Sequence, residues 1–290
     1  MCFSFLRSFT CLRESWDYLL LLERRSEEKR LKVVAIKLLE VKNLTKKFGG
    51  FLAVSGLSFH IYPGEVVGLV GPNGAGKTTT LNMICGFMKV SQGTVLFKNK
   101  NITNLSAHQV AQMGLVRTFQ LNKVFLNLTV EENIQIGCYK QDKEGLFRVL
   151  FGSVRQKDSV VEEKVEYILH LIMLHDQRHS IAKDLPYGDQ KLLAIGIALG
   201  AQPELLLLDE PFAGMNPVET DRCISSLRQI VEGGTTLFLI DHNMQAVVQF
   251  CDRIIVMNLG KKIAEGPPQQ IVQDPHVIRC YLGDAQDANS

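Results

Sequence analysis

The chain has 290 residues, a formal net charge of +2, 46% apolar residues and 21% charged ones. That is long enough for a full core in one or two domains, with the balance of an ordinary folded globular protein. Residues 1–32 hold seven basic groups (Arg7, Arg13, Arg24, Arg25, Lys29, Arg30, Lys32) and five acidic ones (Glu14, Asp17, Glu23, Glu27, Glu28), so the rest is neutral and no electrostatic footprint for nucleic acid exists.

The seven cysteines (Cys2, Cys11, Cys85, Cys138, Cys223, Cys251, Cys280) are scattered and never pair as C-x-x-C. They fit free thiols in a reducing cytosol better than a disulfide framework. The longest apolar run, Leu192 to Ala201, is about half a membrane span, and Arg7 and Arg13 interrupt any secretory signal. Membrane contact is therefore expected through partners.

In chain order, residues 1–36 carry no motif, although "ESWDYLLLLERRSEEKRLK" has the pattern of a charged amphipathic helix. They read as an N-terminal extension, either disordered or an over-extended start with initiation at Val33 or Val34. From "IKLLEVKNL" onward the pattern is coherent. Extended runs at 38–44 and 52–61 lead to "EVVGLVG" (65–71), a β-branched strand bounded by glycines, then a glycine-rich turn and a helix through about Phe87. "GTVLFKN" and "LVRTFQ" predict further strands, and residues 129–200 are mostly helical in pattern with a polar, flexible patch near 140–160. "ELLLLDE" and "TTLFLID" are continuous apolar runs of the kind that fill a parallel sheet covered on both faces, and a helix at 217–231 joins them as a βαβ unit. "RIIVMNLGKKIAEG" predicts a hairpin, followed by helix to Leu282. The sum is an α/β nucleotide-binding core with a helical insertion at about 121–190.

"GPNGAGKTT" (Gly71, Pro72, Asn73, Gly74, Ala75, Gly76, Lys77, Thr78, Thr79) satisfies G-x-x-x-x-G-K-[ST] between a strand and a helix. Its glycines let backbone N–H groups wrap phosphates, Lys77 supplies a point charge, and Thr78 offers a hydroxyl to Mg²⁺. In "LLLLDE", Asp209 stands at a strand end suited to holding Mg²⁺, and Glu210, by strand alternation, is a candidate general base toward the attacking water. Gln120 is a neutral candidate to ligate Mg²⁺ and orient water, and His242 a donor to a γ-phosphate. Phe48 is a candidate face for adenine, with Phe51 as its rival and core filler as the bland alternative. His170, His175 and His179, spaced five and four apart, do not share one helix face and read as a solvated helix rather than a zinc site.

With these motifs in this order, residues 38–283 resemble the ATP-binding subunits of ABC transporters. "FGGFLAVSGLSF", "GLVRTFQ", "NLTVEEN", "LPYGDQ", "AGMNPVET" and "VIRCYLG" are most similar to the ATPases of branched-chain amino acid importers. The resemblance implies a P-loop NTPase (RecA-like) core with an antiparallel β subdomain and an inserted α-helical subdomain. This ABC ATPase domain would span 37–283, ahead of a tail at 284–290. It also implies a dimer, with itself or a sister ATPase, sandwiching two ATPs with Mg²⁺. Tyr187, Gly188, Asp189 and Asn216 would act on the opposite subunit's nucleotide. The dimer would drive integral membrane permeases from the cytoplasmic face of the cell membrane, served indirectly by a substrate-binding protein.

The sequence departs from the family in two places. "DLPYGDQK" (184–191) replaces the usual Ser-Gly-Gly signature, and Pro186 has no N–H to donate. Asp189, in the first turn of the next helix, is expected to point back at that helix, because a carboxylate would repel phosphate. That helix also lacks the usual basic and acidic residues, which questions the salt bridges between core and helical subdomain, and Gly196 weakens it by about 1 kcal/mol relative to Ala. The function expected is ATP hydrolysis coupled to branched-chain amino acid uptake. The rivals are the same motor on a urea, amide or lipopolysaccharide permease, and a nucleotide-gated regulatory protein.

Overall fold

Two extended runs separated by Gly49 and Gly50 fold into a hairpin, β1 (Leu39–Phe48) against β2 (Phe51–Ile61), paired from Leu39–Ile61 to Phe48–Phe51. The structure, a computed structural model, describes residues 36–118, 124–138 and 159–282. The extension, most of the polar patch at 140–160 and the tail at 284–290 lie outside them.

From the hairpin the chain enters β3 (Val66–Val70) and α1 (Lys77–Ile84), then β4 (Gln92–Phe97) and β5 (Lys100–Asn101). Next come α2 (Ala107–Gln112) and β6 (Leu115–Arg117), with α2 opened by a capping box between Ser106 and Gln109. The helical region contains α3 (Val130–Cys138), α4 (Ser159–Leu171) and α5 (Tyr187–Leu199). "NLTVEEN" is itself a helix start: the Glu132 N–H donates to Thr129 Oγ1 (3.2 Å) and the Thr129 N–H to Glu132 Oε2 (2.7 Å). The core resumes with β7 (Leu205–Asp209), α6 (Pro217–Glu232), β8 (Thr236–Ile240), α7 (Met244–Phe250) and the hairpin β9 (Arg253–Asn258) and β10 (Lys261–Gly266). The described chain ends with α8 (Pro268–Ile271) and α9 (Pro275–Leu282).

Two sheets result. One is antiparallel, in the order β2-β1-β4-β5; the other, β10-β9-β3-β8-β7-β6, is parallel apart from its edge strand β10. The apolar runs are continuous because each parallel strand divides its residues between two cores. Leu205, Leu207, Phe238 and Ile240 pack with the antiparallel sheet and α1. Leu206, Leu208, Leu237 and Leu239 pack on the other face with α6, α7 and the helical region. Among the described residues no helix is long and apolar enough to cross a membrane.

The helical region holds by close approach. A Cβ on Gly137 of α3 would stand 2.1 Å from the Ile197 carbonyl oxygen, and one on Gly200 would stand 2.3 Å from the Gly137 carbonyl carbon. Gly196 has a packing reason too: a Cβ there would meet Ile172 Cδ1 at 2.7 Å. Its propensity cost comes with tight packing of α5 against the segment after α4.

Candidate active site

The loop after β3 is shaped by what lies behind it. Gly71 has φ +150°, and a Cβ there would fall 2.1 Å from the Met257 carbonyl oxygen; Gly76 has φ +98°, and its Cβ would fall 2.4 Å from the Ala53 carbonyl oxygen. Only glycine fits either position. The loop thus turns its backbone into the first turn of α1, which Thr80 Oγ1 fastens by donating to the Gly76 carbonyl (2.9 Å). Lys77 is buried and its Nζ donates to the carbonyls of Gly71 (2.7 Å) and Pro72 (3.0 Å). Burial lowers its pKa, while Glu210 and Asp209 work to hold the proton. A groove of about 380 Å³ runs past residues 73–79 and is also lined by Phe48, Phe51, Ala53 and Glu210, a size within the range of small-molecule sites. Phe48 (48% exposed) and Phe51 (67% exposed) pair across the hairpin, so neither is core filler and both rings face the groove.

Asp209 ends β7 beside β6, where Arg117 Nη2 meets its Oδ2 at 2.6 Å and Arg117 Nη1 donates to Asn82 Oδ1 of α1 (2.5 Å). Strand alternation does not aim the next residue: Glu210 has φ +53°, and its N–H donates to the Ile240 carbonyl (2.8 Å). A left-handed, non-glycine backbone costs about 1–2 kcal/mol and turns the Glu210 side chain out of the pleat into the groove. Its Oε1 lies 3.7 Å from His242 Nδ1.

Both loops hang on Asp241, which is fully buried at the end of β8. Its Oδ1 accepts from the N–H of His242 (2.8 Å) and of Asn243 (2.9 Å), and its Oδ2 from the N–H of Phe212 (2.9 Å). Lys191 of α5 closes the same loop from the helical side. Its Nζ donates to the carbonyls of Glu210 (2.8 Å), Pro211 (3.3 Å) and Ala213 (2.5 Å).

The altered signature loop is engaged within the chain. Pro186 takes the N-cap position of α5 with no side-chain cap. Tyr187 packs so near Gly214 that a Cβ there would meet its ring at 3.1 Å, and a Cβ on Gly188 would meet the Glu219 side chain at 3.2 Å. Asp189 corrects the expectation that it points back at its own helix. It is buried, and Arg222 Nη1 of α6 meets its Oδ1 at 2.6 Å, while Arg222 Nη2 donates to the Met173 carbonyl (2.7 Å). Burial raises the Asp189 pKa against the opposing pull of Arg222. Asn216 is exposed and caps α6, its Oδ1 accepting the Glu219 N–H (3.0 Å). The doubt over contacts between core and helical region is thus answered by different residues: Lys191, Arg222 and Ser226, whose Oγ donates to the Leu171 carbonyl (2.7 Å).

Gln120 lies outside the described residues. Of the other site positions, Phe48, residues 73–79 and Glu210 line one groove, Asp209 directly precedes Glu210 and His242 stands 3.7 Å from its carboxylate, while Tyr187, Gly188 and Asp189 form the first turn of α5 and Asn216 caps α6. Arg117, Lys191, Arg222 and Asp241 were missed, and their only signal was charge inside or beside apolar runs. The histidines also need correction. α4 ends at Leu171, and Met173 at φ +55° reverses the chain, so His175 stacks on His170 with ring centroids 4.5 Å apart beside Glu166. His179 stands apart, with Nδ1 3.4 Å from Glu131 Oε2.

The site fits a nucleotide: the glycine cradle, the buried lysine and the helix start suit phosphates. The hydroxyl of Thr78 and the carboxylate of Asp209 are hard oxygen donors of the kind Mg²⁺ takes. The model of the ABC transporter family matches residues 54–213, and that of the branched-chain amino acid ATP-binding cassette transporter matches residues 261–287. The chain is 44% identical over 253 residues to the high-affinity branched-chain amino acid transport ATP-binding protein LivG of Escherichia coli K12, covering 86% of this chain and 98% of that one. It is 38% identical over 254 residues to the corresponding protein BraF of Pseudomonas aeruginosa, with the same coverage of 86% and 98%. Among solved structures, the ADP conformation of an ATP-binding cassette of an ABC transporter superimposes with a TM-score of 0.76 at 33% identity, covering 86% of this chain and 99% of that one.

Proposed function

The chain belongs to the ABC transporter family as an ATP-binding cassette ATPase, and on that premise we propose that it powers uptake of branched-chain amino acids through partner permeases. The observation that carries the chemistry is the groove that residues 73–79 share with Glu210, whose Oε1 lies 3.7 Å from His242 Nδ1. The substrate rests on similarity to LivG and BraF.

In this reading ATP lies along residues 73–79, with adenine against Phe48 or Phe51. Loop N–H groups and Lys77 hold the phosphates, Lys77 exchanging its two carbonyl contacts for phosphate oxygens. Thr78 and Asp209, with Gln120, would hold Mg²⁺, which when bound supplies charge neutralisation at the β- and γ-phosphates. Glu210 accepts a proton from water as its oxygen attacks the γ-phosphorus and the bond to the bridging oxygen breaks, releasing ADP and phosphate. His242, beside Glu210, donates to the γ-phosphate. Tyr187, Gly188, Asp189 and Asn216 face the nucleotide of a second ATPase subunit. Asp189 acts there through Arg222 and the loop backbone, since its carboxylate is buried in an ion pair. The working place is the cytoplasmic face of the membrane, beneath the permeases.

The test is reconstitution with branched-chain amino acid permeases and their binding protein from the same cell. Leucine-loaded binding protein should stimulate ATP hydrolysis; stimulation by a urea-loaded protein and none by leucine would refute the substrate and leave the motor intact.

A further inference from the structure

We propose that Glu166, His170 and His175 form a binding site for one divalent transition ion of the zinc, nickel or copper class, on the helical region and away from the nucleotide groove. His170 and His175 sit on different segments, the end of α4 and the turn after it, and are brought together by the reversal at Met173. Both direct Nε2 at the same oxygen: Glu166 Oε1 lies 2.8 Å from His175 Nε2 and 3.3 Å from His170 Nε2. The three ligand atoms lie within 4.8 Å of one another. Two imidazoles and a carboxylate suit zinc, nickel and copper, and three protein ligands leave a position open to water.

Two features around the group favour a cation. His175 Nδ1 lies 3.5 Å from Asp176 Oδ1, which adds a further carboxylate beside the group. Arg178 holds Glu166 Oε2 at 2.9 Å, leaving Oε1 toward the imidazoles, and it also pairs with Glu131 (2.8 Å) and Glu162 (3.1 Å). The four carboxylates of Glu131, Glu162, Glu166 and Asp176 against one guanidinium leave this neighbourhood at −3 when the imidazoles are neutral. An ion here would tie the end of α4 to a turn already linked to α6, since Ser226 holds the Leu171 carbonyl and Arg222 the Met173 carbonyl. Binding should therefore raise thermal stability.

Untagged, metal-stripped protein without nucleotide is titrated with Zn²⁺ by calorimetry and with Co²⁺ by visible absorption. The expected result is one equivalent bound through nitrogen and oxygen, with a rise in melting temperature. His170→Ala and His175→Ala should each weaken binding tenfold or more and abolish the thermal shift, while His179→Asn and His242→Ala leave both unchanged. His170 is exposed, so its variant folds; its melting curve without metal, matching the parent, verifies this. Proton uptake with no metal binding, or a sulfur-to-cobalt charge-transfer band indifferent to His170 and His175, would overturn the proposal.

Discussion

Asp241→Asn tests the inference that one buried carboxylate sets both catalytic loops. The substitution keeps the shape and one oxygen. With that oxygen on the N–H groups of His242 and Asn243, the new amide faces the Phe212 N–H, donor against donor. One hydrogen bond to a charged group is lost, about 1.5–3 kcal/mol, and the two that remain lose their charge assistance. Lys191, whose proton Asp241 helps to hold, also loses a compensating charge. The expected total is about 3 kcal/mol, read as a lower urea midpoint at unchanged slope. Phe212 follows Glu210 by two residues, so turnover should fall at least roughly tenfold, which needs only about 1.4 kcal/mol at the barrier. Nucleotide binding should change little, since the phosphate loop is built elsewhere. Stability within about 0.5 kcal/mol of the parent, with normal turnover, would refute the reasoning.

Gly137→Ala should destabilise by about 1–3 kcal/mol, because the new methyl collides with the Ile197 carbonyl, although propensity alone predicts a gain of about 1 kcal/mol; the sign of the shift in urea midpoint decides. Burial pushes the thiols of Cys85 and Cys223 up to about 12 and that of Cys138 up to about 11, and it raises Cys251 as well. Among the described cysteines, iodoacetamide at pH 8 should therefore label the partly exposed Cys280 first, as peptide mass spectrometry would report. Unfolded thiols ionise near 9.0 and the folded ones only near 11–12, so the unfolded chain loses protons first and stability should fall as pH rises from 9 toward 12. Urea midpoints flat across that window would contradict the burial of these groups.

The parts of this fold legible in the sequence are those whose physics is local or periodic. "ELLLLDE" and "TTLFLID" announce strands covered on both faces, because alternate residues feed different cores. The phosphate loop is contiguous, so its glycine spacing is readable in one stretch even though the carbonyls that require Gly71 and Gly76, those of Met257 and Ala53, lie elsewhere in the chain. Partners distant along the chain left no such trace. Arg117 meets Asp209 across 92 residues, Arg222 meets Asp189 across 33, and Asp241 reaches Phe212 across 29. Glu210 and Met173 turn left-handed without the glycine or asparagine that would signal it, so strand alternation misdirected the one and helical spacing the other. Asp189 shows the same limit: dipole arguments treat its helix alone, and the arginine that claims it comes from another.

The central claim, that this cassette is a working motor despite its altered signature loop, meets its most direct test in Glu210→Gln. The parent should hydrolyse Mg-ATP, whereas the variant should bind ATP with unchanged affinity and lose turnover by at least roughly a hundredfold, within the range contributed by a general base. A variant that hydrolyses ATP at the parental rate would contradict the account.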